Sequence, residues 1–260
     1  MIIFNDWFGR LGNNIIQLCN IIDIALYYKH DIQFNVEHKF FDLKVISDYF
    51  SKYNNNIKIT DKYNFYYPEK INNVSQNIFR KNSKEKRDLL KKAFKIKNVN
   101  ALDEDILVIH LRSGDIFRNT GAHEGYISPP LAYFVKKIYE IQCKKIIILC
   151  EDKNNPILNR LLQLYKNAVY SKNSLEEDIK IILGAKNIIM SVGTFIPSLL
   201  LMSDNIKCVH GKLMKCQSID CKYNHYQYIS NDKELKEYYE LMHPWRNTEK
   251  QINTILTYKY

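Results

Sequence analysis

The 260-residue sequence lacks any run of about 18 apolar residues, so no membrane-spanning helix is expected. Its N-terminus starts strand-like, without the charged opening and long apolar core of a signal peptide. Neither G-x-G-x-x-G nor G-x-x-x-x-G-K-[ST] occurs, which removes the dinucleotide fingerprint and the Walker loop. A net charge of +10 comes with no DNA- or RNA-binding motif, and its lysines are scattered, so no nucleic-acid partner is expected. Cysteine offers no disulfide framework. Cys19 and Cys150 sit in apolar runs and read as reduced core residues. Cys216 and Cys221 with His225 invite a zinc reading, but the gap is four residues and there is no second pair. The expectation is a reducing, cytosolic setting with at most peripheral membrane contact and no metal.

What is present is ordinary for a globular protein: 46% hydrophobic and 25% charged residues, enough for one large domain or two small ones. The wealth of Ile, Asn, Lys and Tyr (19 Tyr) matches AT-rich codon usage. The positive balance favours anionic ligands, phosphorylated ones included. The densest basic run, Lys81 to Lys97, reads as one amphipathic helix with a solvated face.

Ile2-Ile3-Phe4 is a strand candidate, followed by Asn5 to Asn14 and then by helical spacing from Ile15 to Tyr28. Gly9 and Gly12 would allow a tight turn and a close ligand approach before the free N–H groups of the helix start. A plain turn is the competing reading. Asp31 to Val36 suggests a second strand, and residues 37–100 are less regular, with Asn-rich turns at 54–56 and 72–73. A composition shift near Asn98 to Asp105 marks a domain boundary. Beyond it, strands 106–111, 145–150, 169–170, 188–192 and 207–209 alternate with helices 130–142, 155–165, 174–185 and 198–202. Such alternation predicts an α/β fold with a parallel, doubly wound sheet. Helices are also expected over 84–94, over 234–242 and in the last fifteen residues.

The richest stretch is Ile106 to Phe117, where four apolar residues run into His110, Arg112, Gly114 and Asp115. In open α/β sheets, ligands bind beyond the carboxyl ends of strands. Arg112 carries a permanent, forked cation that matches a phosphate and can stabilise a leaving diphosphate. Asp115 could orient Arg112 or act as a base, and His110 could donate to phosphate or belong to the strand. An Arg–Asp pair pinning a loop is the bland alternative. Two further strand ends offer Glu151-Asp152 and Ser191-Val192-Gly193-Thr194.

His110-Leu111-Arg112-Ser113-Gly114-Asp115 resembles the His-x-Arg-x-Gly-Asp peptide of α-1,2-fucosyltransferases and, more loosely, of α-1,6- and protein O-fucosyltransferases. Gly9-Arg10-Leu11-Gly12-Asn13-Asn14 with Gln17 resembles the family's N-terminal glycine loop. Ser191-Val192-Gly193-Thr194-Phe195 resembles its late Thr-Phe segment. The three occur in the family's order across residues 1 to 205. The resemblance implies a metal-independent, inverting glycosyltransferase of GT-B type, with two Rossmann-like halves facing a cleft. It would move a sugar, most readily L-fucose from GDP-fucose in α-1,2 linkage, onto a glycan hydroxyl.

The domains would be 1–100 on the acceptor side, 101–225 for the nucleotide-sugar, and a helical tail, 226–260, packing back on the N-terminal half. Arg112 would contact the donor β-phosphate beside His110 and Gly114. Gly9, Arg10, Gly12, Asn13 and Asn14 would form the loop near the diphosphate. Ser191, Gly193, Thr194 and Phe195 would lie by the phosphates or base, and Asp152 near the nucleoside. Asp115 and Glu124 are the candidate general bases, and the loop from His123 to Pro130 could carry acceptor contacts.

Three departures stand out: Ser113 where a second Arg is frequent, Asn14 where Gln is usual, and Ile196-Pro197-Ser198 in place of Trp. The alternatives are another nucleotide-sugar on the same fold, or a non-catalytic nucleotide-sugar or glycan binder. A metal-dependent transferase built on Asp103-Glu104-Asp105 is disfavoured, because those carboxylates precede their strand rather than leave it.

Overall fold

The structure is a computed structural model and describes residues 1–53, 59–72, 74–80, 84–118, 122–211 and 227–259. The chain forms two compact units, one of Met1–Asn98 with Pro197–Met202, the other of Val99–Ile196 with 203–211 and 227–259. Both are α/β and built on parallel strands. The disfavoured zinc pattern of Cys216, Cys221 and His225 and the Asn-rich turn at 54–56 lie outside the described residues, as does Asn73 of the second turn.

In the first unit, β1 (Ile2–Phe4), α1 (Leu11–Tyr28) and β2 (Ile32–Phe34) make a β-α-β unit. The strands pair in parallel, Ile2 opposite Ile32 and Phe4 opposite Phe34. The expected apolar stripe of α1 is buried at Ile15, Leu18, Cys19, Ile22 and Ala25. The helix starts at Leu11, four residues earlier than the apolar spacing suggests, and stops at Lys29 in a left-handed cap (φ 56°). Asn14, Gln17, Asn20 and Asp23, every third residue, are also buried. Such groups need partners in the interior, and each has one. Asn20 Nδ2 donates to the Phe65 carbonyl (2.7 Å), and Asp23 takes the Lys86 ammonium at 2.8 Å.

Lys86 comes from α3 (Lys84–Ala93), so the basic helix is not solvated throughout: one lysine is 1% exposed. A helix absent from the sequence reading, α2 (Leu43–Phe50), packs on α3 and is capped by Asp42, whose carboxylate accepts from the Lys44 N–H.

The second unit carries β3 (Ile106–Leu111), α4 (Leu131–Ile141), β4 (Lys145–Cys150), α5 (Pro156–Leu164), β5 (Ala168–Ser171) and α6 (Leu175–Gly184). It continues with β6 (Asn187–Met190), β7 (Cys208–Gly211), β8 (Gln227–Ser230), α8 (Lys236–Met242) and α9 (Glu249–Thr257). Between β6 and β7 runs α7 (Phe195–Leu200), whose residues from Pro197 onward belong to the first unit. The six strands form one parallel sheet in the order β5-β4-β3-β6-β7-β8. Central β3 is buried on both faces, at Leu107, Val108, Ile109 and Leu111 alike. That explains its continuous apolar run. The sequence did not suggest β8, an edge strand with exposed ends.

The expected seat of the C-terminal tail is corrected. Helix α9 packs on α4 and α5, and Tyr238, Trp245 and Ile255 join the core of the second unit. Helix α9 covers α4 and α5, which would otherwise expose hydrophobic faces. No helix among the described residues is long and apolar enough to cross a membrane.

Candidate active site

The sheet order places β3 first, with the chain winding outward to β4 and β5 and then returning past β3 to β6. Strand order therefore reverses between β3 and β6, and in open α/β sheets ligands bind outside the carboxyl ends of the strands at such a point. Residues 112–118 leave β3 there and residues 191–194 leave β6.

Hydrogen bonds lace the two exits together. The Ser191 N–H donates to the His110 carbonyl at 3.0 Å, and the Arg112 N–H donates to Ser191 Oγ at 2.7 Å. On the other side, Asn155 Nδ2 donates to the Arg112 carbonyl at 2.9 Å. Asn155 is fully buried and its Oδ1 accepts from the Ile157 N–H, capping α5. The backbone of Arg112 is thus held from both neighbouring strands. Its guanidinium, 18% exposed, donates to Asp115 Oδ1 at 2.5 Å and stands 5.9 Å from the Tyr126 ring.

His110 is half-buried with its ring 5.7 Å from that of Phe195. Burial, and then the Arg112 charge, push its pKa down to about 3, so it is neutral near pH 7. It can offer hydrogen bonds to a ligand but no charge. Gly114 has φ 64°, and a Cβ there would collide with the Glu151 carboxylate. The conformation calls for glycine, while the Glu151 side chain could swing away from a Cβ. Gly193, at φ 116°, needs glycine for conformation alone: a Cβ would meet nothing within 4 Å. Thr194 and Phe195 follow at the start of α7.

Ser113, where a second cation is frequent, is fully buried and donates to Asp152. Asp152 also accepts from Arg118 (3.2 Å) and from the Asn154 N–H (2.9 Å) and Nδ2 (2.8 Å). Burial works to raise its pKa, but the bonds from Ser113, Asn154, Gly114 and Arg118 outweigh it and hold the carboxylate below its usual range. Arg118 is a cation the sequence reading passed over. It is 60% exposed and tethered to the loop by Asp152.

Glu124 pairs with Arg246 at 2.5 Å, and that bond keeps its carboxyl below the usual range. The neighbouring Trp245 straps the same loop, its N–H to the Glu124 carbonyl and its Nε1 to the Ile116 carbonyl, both at 2.9 Å. Asp105 pairs with Lys144, and Glu104 with Lys207, at the amino ends of the strands. Among the described residues, no group of three or more His, Cys, Asp or Glu side chains could hold a metal ion.

The chain is similar in fold to solved sugar transferases. POFUT1 in complex with GDP aligns at 12% identity over 81% of this chain and 97% of that one, with a TM-score of 0.48. The E. coli heptosyltransferase WaaC with ADP aligns at 10% identity over 93% and 99%, TM-score 0.43. NodZ α-1,6-fucosyltransferase soaked with GDP-fucose aligns at 11% identity over 78% and 92%, TM-score 0.42. No protein-family model matches the sequence, and no curated protein does.

The remaining candidates lie in the first unit. Gly9 has φ 71°, and a Cβ there would strike the Asn13 carboxamide. Arg10 is exposed at the cap of α1. One expectation is corrected. Gly12 does not make the turn: it is buried in the first turn of α1, where its carbonyl accepts from Ser198 Oγ at 3.0 Å. Asn14 is committed to the scaffold. Its Nδ2 donates to the Phe8 carbonyl at 3.3 Å.

His38, missed in the sequence, takes the other end of Asn14. Its Nδ1 accepts from the Phe40 N–H (3.1 Å), so Nε2 carries the proton and donates to Asn14 Oδ1 (3.4 Å). Burial, then Lys95, push His38 down to about 4. Gln17 is fully buried: Oε1 accepts from the Phe8 N–H at 2.9 Å, and Nε2 donates to the Asn64 carbonyl at 2.7 Å. Asn13 is half-buried, its Oδ1 accepting from the Tyr66 hydroxyl at 3.4 Å.

Proposed function

We propose that this protein is a nucleotide-sugar-dependent glycosyltransferase of GT-B type that transfers with inversion and needs no metal. The donor proposed first is GDP-fucose, with α-1,2 linkage to a glycan hydroxyl. The observation that carries the reading is Arg112: a cation at the switch point of a parallel sheet, its backbone pinned by Ser191 and Asn155. Sugar transfer leaves negative charge on the departing diphosphate. A preorganised cation is worth most where charge develops in the transition state and water is scarce.

In this reading Arg112 neutralises the leaving β-phosphate, and neutral His110 hydrogen-bonds a phosphate or sugar oxygen. Ser191, Gly193, Thr194 and Phe195 take the remaining phosphate oxygens and the base. Asp152 serves the site indirectly, by holding Ser113 and Arg118. Of the two candidate bases, Glu124 is neutralised by Arg246 and lies on the loop that Trp245 straps. Asp115 is the Arg112 partner, and we assign it to orienting that cation.

A panel of nucleotide-sugars tests the reading, first by thermal stabilisation and then by donor hydrolysis and transfer. A donor at about 100 times its Kd adds about 2.7 kcal/mol and raises the unfolding temperature. GDP-fucose is expected to stabilise most and to turn over in the presence of a chelator. Arg112→Ala should cut turnover about 10²-fold or more while the chain stays folded. A folded Arg112→Ala enzyme with near-normal rates would sink the assignment. Donor binding without hydrolysis or transfer to any acceptor would make the protein a nucleotide-sugar binder instead.

A further inference from the structure

The first unit displays a wall of aromatic rings that the donor chemistry does not use. Phe8 is 39% exposed, yet its backbone is clamped on both sides. Its N–H is held by the buried Gln17 and its carbonyl by the buried Asn14. An exposed Phe on so rigid a mount keeps its ring at one place on the surface with little conformational freedom left to lose. The Tyr66 ring lies 4.7 Å away at 33°, and the Tyr67 ring 5.8 Å from Phe8 and 4.8 Å from Tyr66, nearly perpendicular to the latter. Tyr63 extends the wall at 5.3 Å from Tyr67.

Lys70 closes the far end. Its ammonium stands 4.3 Å from the Tyr63 ring and 4.5 Å from the Tyr67 ring. The wall therefore already carries its own cation, which repels a second. At the Phe8–Tyr66 end the Asn13 carboxamide meets the Tyr66 hydroxyl.

We propose that Phe8 and Tyr66, with Asn13 at their edge, seat a pyranose ring of a neutral glycan; that this glycan is the acceptor rests on the transferase reading above. A pyranose presents one face of C–H groups and an equator of hydroxyls. The rings match the first, and the amide and phenol match the second. The wall's own cation disfavours a quaternary ammonium guest.

Saturation-transfer NMR on the full chain tests this with defined probes. These are methyl glycosides of glucose, galactose, mannose, fucose and N-acetylglucosamine, lactose, and, as rivals, guanosine, adenosine and choline. At least one glycoside should show saturation concentrated on its C–H face. Phe8→Leu, which keeps an apolar side chain but no ring, should weaken binding by about five- to tenfold at an unchanged unfolding temperature. Tyr66→Phe keeps the ring, removes the hydroxyl and should weaken it less.

No saturated glycoside, equal saturation in Phe8→Leu, or displacement of the sugar by a nucleoside or by choline overturns the proposal. The two readings fail separately. Nucleotide-sugar stabilisation without any glycoside binding removes the platform alone. Glycoside binding that depends on Phe8, without nucleotide-sugar stabilisation, leaves the platform standing and removes the transferase.

Discussion

Asp115 shows how one carboxylate can be asked to do two jobs. It contacts Arg112 through a single oxygen three residues along the chain, which suits an orienting role. Asn at this position keeps an oxygen for the guanidinium but loses the charge and the basicity. Asp115→Asn is therefore expected to keep donor binding and to lower turnover less than about tenfold, because a positioned base contributes about 10²–10⁴. A steady-state comparison of kcat and KM decides it: a fall of 10² or more in kcat at constant KM would make Asp115 the base. Asp23 and Lys86 form an ion pair whose side chains are 4% and 1% exposed. Burial pushes Asp23 up to about 6, against the pull of Lys86. Lys86→Met leaves that carboxylate buried alone and should cost about 3–5 kcal/mol in urea unfolding. Replacing both residues by leucine should recover most of the loss, since two apolar side chains need no partner. A loss under about 1 kcal/mol from the single change would show that the pair is dispensable.

At the level of elements, the apolar runs of β3, β4 and β6 were legible because central parallel strands are buried on both faces. Helix α6 was legible because Ser174 and Glu177 form a complete capping box. The errors have equally local causes. Pro197 made α7 seem to begin after it, yet proline fits a first helical turn, whose N–H groups have no intrahelical partner. Gly12, Asn13 and Asn14 are poor helix formers, so α1 seemed to begin after them. Tertiary bonds from Asn14 and Gln17 to the Phe8 backbone hold that turn helical instead. Arg112 could be found in the sequence, but what fixes it could not: Ser191 and Asn155 lie 79 and 43 residues away. That dependence is testable in α5. Asn155→Asp keeps the oxygen that caps the helix but loses the N–H to the Arg112 carbonyl. Stability should fall by more than the about 1 kcal/mol of a whole cap, because a fully buried carboxylate then faces the Arg112 carbonyl, and turnover of the folded enzyme should drop as well. Asn155→Ala should lose both. Normal turnover in a folded Asn155→Asp enzyme would remove the link between α5 and the site.

Across the whole molecule, the buried titratable groups pull stability in opposite directions with pH. Among the described residues four histidines are held below their ordinary pKa, each with burial as the leading cause: His30, His38, His110 and His210. Their unfolded forms bind protons near pH 6.5 while the folded forms do not, so each makes folding less favourable as pH falls below about 6.5. For His110 and His38, driven down to about 3 and about 4, the penalty grows by about 1.4 kcal/mol per pH unit over most of that fall. Asp23 and Asp178, both pushed up to about 6 with burial as the largest cause, act oppositely. Folded, they hold protons that the unfolded chain has released, so they favour folding as pH drops from about 6 towards 4. From pH 6.5 to 6 the histidines act without that opposition; below it, four groups oppose two. Asp152, Glu124, Asp105 and Glu177, all held below their usual range, add their losses only at still lower pH. Denaturant midpoints should therefore fall steadily from pH 7 to 5. Asp23→Asn, which removes one opposing group, should make the fall steeper. A flat or rising profile over that interval would mean that the buried histidines gain protons in the folded protein.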